Sequence, residues 1–224
     1  MEIKVLASGS KGNVTAVESG DELILVDCGK AVSWTLDKLN YKLPHAILVT
    51  HEHGDHAKAV GDWLKRGVDI YLTAGTAEAL RLKRRYNLHT ITAGAPFRIG
   101  GVTVEAIRAI HDAAEPVNFT LSDATDRILY ATDTGALPEL KGSFTKIIIE
   151  ANCSEAVLLA SSIDEHQKRR ILENHLSVEQ AIAFLKKNPA PEVHLIHISA
   201  RHGDGEEFKA RVIGETGIVN VVAK

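Results

Sequence analysis

The chain has 224 residues, with 26 Lys and Arg against 29 Asp and Glu (formal net charge −3), 45% apolar and 25% charged residues. This balance excludes a disordered or collagen-like chain, and with no run of about 18 uncharged apolar residues a membrane-spanning helix is not expected. The slight acidity argues against a protein that holds long nucleic acid by a broad cationic face.

The segments EIKVLA (2–7), VTAVES (14–19) and ELILVD (22–27) read as strands separated by SGSKGN and SGD turns. MEIKVLASGS at the N-terminus does not read as a secretory signal. A helical stretch over 31–40 precedes the apolar run AILVT (46–50), a buried strand, and residues 55–65 are helical in pattern. DIYLT (69–73) is a strand, and TAEALRLKRRY (76–86) reads as a helix with a basic outer face that buries Leu80, Leu82 and Tyr86. The middle alternates as strands: FRIGGVTVEAIRAI, VNFTLSD, DRILYATD and TKIIIEA. The last part mixes helix and strand: EAVLLASSIDEHQKRRIL, VEQAIAFLKK, VHLIHIS, GEEFKARVI and GIVNVVA. Sheets covered by helices are expected, in a layered α/β architecture. No repeat or linker appears, so one domain over 1–224 is expected. Two cysteines, Cys28 and Cys153, are too few for a disulfide framework and point to a reducing cytoplasm.

Eleven histidines are the unusual count. Thr50-His51-Glu52-His53-Gly54-Asp55-His56 follows an apolar strand and precedes a helical pattern, so it is a strand-to-helix loop. Three imidazoles and a carboxylate this close cannot all be buried without partners, and they are the donors that zinc and similar divalent ions bind. Further candidates stand at the ends of other strands: His111 after TVEAIRAI, Asp133 after ILYAT, and His197 near the end of VHLIHIS. His175 is an alternative last ligand. It lies just before Ser177-Val178-Glu179-Gln180, which reads as a capping box opening a helix.

In this order, Asp27, the HEHGDH loop, His111, Asp133 and His197 resemble the metallo-β-lactamase superfamily. The resemblance implies an α/β four-layer αββα sandwich of two mixed sheets flanked by helices, with a two-metal site. It assigns His51, His53 and His111 to one ion, Asp55, His56 and His197 to the other, and Asp133 as the bridge. Asp27 would support the loop without ligating. The implied cofactors are two divalent ions, zinc or alternatively manganese. His197 is followed by Ile198-Ser199, as in tRNase Z-like members, so His175 takes a catalytic or supporting role. Ser8 to Asn13, His111 to Val117, Glu150-Ala151-Asn152 and Lys168-Arg169-Arg170-Ile171 resemble the YycJ-type branch of small nuclease-like proteins, although Cys153 stands where that branch usually has His. Compact anti-Pycsar cyclic nucleotide phosphodiesterases are similar too.

The reaction this implies is phosphodiester hydrolysis, of nucleic acid or alternatively of a cyclic nucleotide, by a hydroxide shared between the two ions. Thioester or lactone hydrolysis is a further alternative. Asp55 would ligate and orient the nucleophile, and His175 would contact the phosphate or protonate the leaving oxygen. Lys11, Ser199 and Arg201 are candidate phosphate contacts, with Arg169 and Arg170 near His175 a stronger pair. A homodimer is implied by the resemblance; no membrane partner is expected.

Overall fold

The computed structural model describes residues 1–224. Thirteen strands lie in two sheets, each containing parallel and antiparallel neighbours, and eight helices flank them. This is the α/β architecture expected. The chain divides into two compact units, Met1–Arg108 with Ala113–Thr125, and Ala109–Asp112 with Asp126–Lys224. No helix is long and apolar enough to cross a membrane.

In the first unit, β1 (Glu2–Ala7), β2 (Val14–Ser19) and β3 (Glu22–Val26) form an antiparallel meander. After helix α1 (Val32–Lys38), β4 (Ala46–Leu48), β5 (Asp69–Thr73) and β6 (Leu88–Ile91) extend it in parallel, in the order β1 to β6. The sequence explains both halves. Ala46, Ile47 and Leu48 are all buried, as a parallel strand covered on both faces requires. Strands β7 (Phe97–Ile99), β8 (Val102–Arg108) and β9 (Val117–Ser122) are antiparallel, and β8 alternates buried and half-buried residues with period two. The helical stretch expected over 55–65 is two short helices, α2 (Gly54–Ala57) and α3 (Val60–Lys65). The second packs a wholly buried Trp63 onto the core.

One expectation is corrected here. Helix α4 ends at Ala79 rather than continuing to Tyr86. Arg81 takes a left-handed conformation (φ 53°), its N–H donates to Glu78 O (2.8 Å), and Leu82 N–H donates to Ala77 O (3.0 Å). These bonds make a Schellman ending, closed by Leu82 and Ala77 packing on the same core. The glycine that usually marks this ending is absent, so the periodic pattern hid the stop. Lys83, Arg84 and Arg85 therefore lie on a loop, and Tyr86 is 85% exposed rather than buried. Strand β6, which follows, was not anticipated.

In the second unit, β10 (Arg127–Ala131), β11 (Lys146–Glu150), β12 (Glu192–Ile196) and β13 (Val221–Ala223) are parallel neighbours in that order. The long helical segment expected over 155–172 is broken into α5 (Glu155–Ala160) and α6 (Glu165–Asn174), because Asp164 caps the second helix by accepting from Gln167 N–H at 2.8 Å. Helix α7 (Val178–Lys187) opens with the expected capping box: Ser177 Oγ accepts from Gln180 N–H (3.1 Å) and Gln180 Oε1 from Ser177 N–H (2.8 Å). Helix α8 (Gly205–Thr216) starts at Asp204 and stops at left-handed Gly217.

Candidate metal centre

In the first unit the His-rich loop leaves the C-terminal side of β4, beside the end of β3, where Asp27 stands. In open α/β sheets this is the edge where ligands bind. Asp27 is wholly buried and left-handed (φ 64°). Its carboxylate accepts from Thr50 N–H (2.9 Å), Thr50 Oγ1 (2.9 Å) and His56 Nδ1 (2.7 Å). It braces the loop, the role the family resemblance implied. The His51 ring lies 4.6 Å from that of His53 and 4.3 Å from that of His56, centroid to centroid, and His51 Nδ1 meets Thr50 Oγ1 at 3.0 Å. Asn13, buried at the first turn, accepts from Gly9 N–H (2.8 Å) and donates to His56 Nε2 (2.9 Å). Gly29 is required for the close approach of this loop: a Cβ there would sit 1.7 Å from Asp55 O.

In the second unit, register gathers the donors. Ala131 pairs with Ile149, and Glu150 with Ile196, so Asp133, Glu150 and His197 emerge together at the C-terminal ends of three adjacent parallel strands. Asp133 (φ 46°) and His197 (φ 54°) are left-handed, a conformation rarely taken by residues other than glycine and found where a site fixes the backbone. His175 joins them from the C-cap of α6. One donor atom from each of Asp133, Glu150, His175 and His197 lies within 4.8 Å of the others. Glu150 organises the group and was missed as a functional residue in the sequence. Its buried carboxylate accepts from His175 Nδ1 (2.7 Å) and His197 Nδ1 (2.9 Å) through Oε1, and from Leu176 N–H (3.1 Å) and Thr134 N–H (3.3 Å) through Oε2. The available signal was an acid closing the apolar run Ile147–Ile149, a position that demands partners. His111 Nδ1 donates to Asn174 O (3.1 Å), and its ring stands 5.2 Å from that of His175.

Burial favours the uncharged form of Glu150, but the neighbouring His175 and His197 overcome this and hold its carboxyl below the usual range. Burial also disfavours charged His175, yet Glu150 and Asp133 lift its pKa to about 10. Burial dominates at His111 and lowers its pKa, favouring the neutral ring. These directions suit the donor types: neutral imidazole for an ion, cationic imidazole beside carboxylates.

The residues fit divalent cations. His56, His111 and His197 each place Nδ1 on an acceptor within their own unit, which selects the tautomer with the Nε2 lone pair directed elsewhere, and His51 meets Thr50 in the same way. Metal-binding histidines are oriented like this. Nitrogen donors with the Asp55 and Asp133 carboxylates suit zinc or manganese chemistry.

The substrate-contact candidates are less uniform. Lys11 is exposed in the first turn, with its carbonyl accepting from Lys30 Nζ (2.6 Å). Ser199 Oγ accepts from Arg201 N–H and His202 N–H, both at 3.3 Å, and so builds a turn. Arg201 is exposed. Cys153 is buried, its backbone pairs with that of Ser177, and its thiol is pushed up to about 12 by burial first and Glu150 second. His45 accepts from Leu23 N–H (3.1 Å), and His89 pairs with Asp69 (2.8 Å) and stacks on Tyr71, so these histidines serve local structure.

A family model described as the beta-lactamase superfamily domain matches residues 23–198. Exodeoxyribonuclease WalJ of Streptococcus pneumoniae (strain D39) is 29% identical over 216 residues, covering 87% of this chain and 80% of the relative. Exodeoxyribonuclease YycJ of Bacillus anthracis is 29% identical over 220 residues, covering 89% and 83%. Among solved structures, the metallo-beta-lactamase fold protein YhfI of Bacillus subtilis superposes with a TM-score of 0.78 at 18% identity, covering 99% of this chain and 94% of that one. The fold expectation is met.

Proposed function

The chain belongs to the beta-lactamase superfamily of metal-dependent hydrolases, and on that premise we propose that it is a two-metal phosphodiester hydrolase acting on nucleic acid. The observation that carries the proposal is the buried Glu150 carboxylate holding His175 and His197 by their Nδ1 atoms beside Asp133. That pairing places a proton-donating imidazole next to ligand-type residues. His51, His53 and His111 would hold one ion, Asp55, His56 and His197 the other, with Asp133 shared; His56 would exchange its Asn13 contact for the ion. Bound there, divalent cations lower the pKa of a water and offset charge on a phosphate. Asp55 would orient that water and take up its proton. His175, with Nδ1 fixed by Glu150, would donate from Nε2 to the leaving oxygen. Lys11 and Arg201 would contact phosphate from loops, whereas Ser199 would contribute through the turn it builds. The names of WalJ and YycJ favour DNA over other phosphodiesters.

The test is a substrate panel with metal-reconstituted protein: single- and double-stranded DNA, RNA, 3′,5′-cyclic nucleotides, a lactone and a thioester. Turnover of DNA with steep salt dependence of binding is expected, because many phosphates are contacted at once. Asp133→Ala is expected to lower turnover of bis-p-nitrophenyl phosphate by about 10³-fold, with loss of bound metal in elemental analysis. Full activity in that variant, or wild-type protein purified without stoichiometric metal, would overturn the reading. Selective turnover of cyclic nucleotides would replace the polymer with a small substrate. Sedimentation would read out the homodimer.

A further inference from the structure

Within the second unit a cavity of about 330 Å³ opens beside His175, lined by Asp112, Gln167, Arg170, Ile171, Asn174 and His175. It lies along the last turns of α6 and is of the size at which small-molecule sites begin. We propose that this cavity is a phosphate subsite in which Arg170 holds the strand phosphate one nucleotide away from the scissile one. The inference rests on the phosphodiesterase reading and narrows it to a polynucleotide, since a cyclic mononucleotide has no second phosphate.

Three observations carry it. First, Arg170 lines the cavity with Asp112 on one edge of its guanidinium: Nε donates to Asp112 Oδ2 at 2.9 Å, and Nη2 donates to the same oxygen. A guanidinium has five N–H donors in a planar fork, so Nη1 and the second Nη2 hydrogen remain for an anion. Second, the Arg170 side chain is 65% exposed. An ion pair so exposed adds little stability, so a phosphate entering the cavity can share or take the guanidinium at little cost. Third, Arg170 and His175 both line this cavity, one within α6 and the other at its C-cap five positions later. Five positions at 1.5 Å per residue separate their backbones by about 7.5 Å along the axis. His175 has its Nδ1 on Glu150 and is one of the residues lining the cavity. A planar fork pairs with phosphate oxygens two at a time, which lysine cannot do.

Calorimetry with two nucleotides tests the subsite apart from turnover. Thymidine 3′,5′-bisphosphate is expected to bind wild-type protein about tenfold or more tightly than thymidine 5′-monophosphate. Arg170→Ala is expected to abolish that advantage, and Arg170→Lys to keep part of it. Equal affinities in the wild type, an advantage retained in Arg170→Ala, or one undiminished in Arg170→Lys would overturn the proposal. Melting temperatures check folding, and Arg170→Lys keeps the test decisive if the alanine variant proves unstable. Turnover of bis-p-nitrophenyl phosphate is measured in parallel. Its absence in the wild type counts against the hydrolase reading, whereas the affinity ratio answers for the subsite.

Discussion

The donors of the two units are held in different ways. The first unit carries His51, His53, Asp55 and His56 within six consecutive residues, on the loop after β4 and the short helix α2, braced by the single carboxylate of Asp27. The second collects His111, Asp133, His175 and His197 from four separate places in the chain around Glu150. A contiguous loop needs one strand, one turn and one brace to fix its geometry. A dispersed set depends on the register of several strands, so its organising residue bears more. Glu150 accepts from four separate donor groups, Asp27 from three, the Thr50 hydroxyl reaching both Asp27 oxygens.

The largest expected effect follows from that difference. Glu150→Gln sets an amide donor against N–H groups and is expected to cost about 3–5 kcal/mol in denaturant unfolding, as for breaking a buried charge pair. Metal affinity should fall by roughly 100-fold, the upper end for residues that support ligands. Asp27→Asn should lower it about tenfold. Equal losses in metal titrations of the two variants would break the comparison.

Glycine substitutions sharpen it at an intermediate scale. A Cβ on Gly29 would meet Asp55 O at 1.7 Å, and one on Gly135 would meet Glu173 O at 1.9 Å. Each alanine variant is expected to lose about 2–3 kcal/mol, the upper range for overpacking. Gly29→Ala displaces the loop of the first unit; Gly135→Ala displaces the end of α6 that leads into His175. Chemical denaturation measures the cost, and elemental analysis shows which ions are lost.

Helix caps give the smallest effect. Ser177→Ala removes one bond of the capping box, and Thr73→Ala removes the cap that accepts from Thr76 N–H. Each is expected to cost about 1 kcal/mol, read as a shift in the melting midpoint. Activity loss beyond tenfold in Ser177→Ala alone would show that the start of α7 tunes His175.

The same contrast governed what could be read beforehand. The HEHGDH loop was legible because its donors are close in sequence and its flanks declare strand and helix. His111, Asp133 and His197 were legible as strand ends only in company with that loop. Glu150 was not assigned a role, because nothing local shows that an acid after three buried isoleucines faces two imidazoles. The loop over 81–87 was misread because Arg81 ends a helix where glycine is usual, and the exposure of Tyr86 depends on that ending. Breaks such as the one at Asp164 lie below the resolution of hydrophobic periodicity.

Composition and pattern by themselves determined the α/β class, most strands, the capping box and the chemistry of the donor set, because these follow from periods of two and 3.6 and from residue type. Only the tertiary structure decided which carboxylate supports which imidazole, and that Arg170 and His175 share a cavity. Those relations depend on strand register and on the path of α6, which place residues dozens of positions apart within hydrogen-bonding distance.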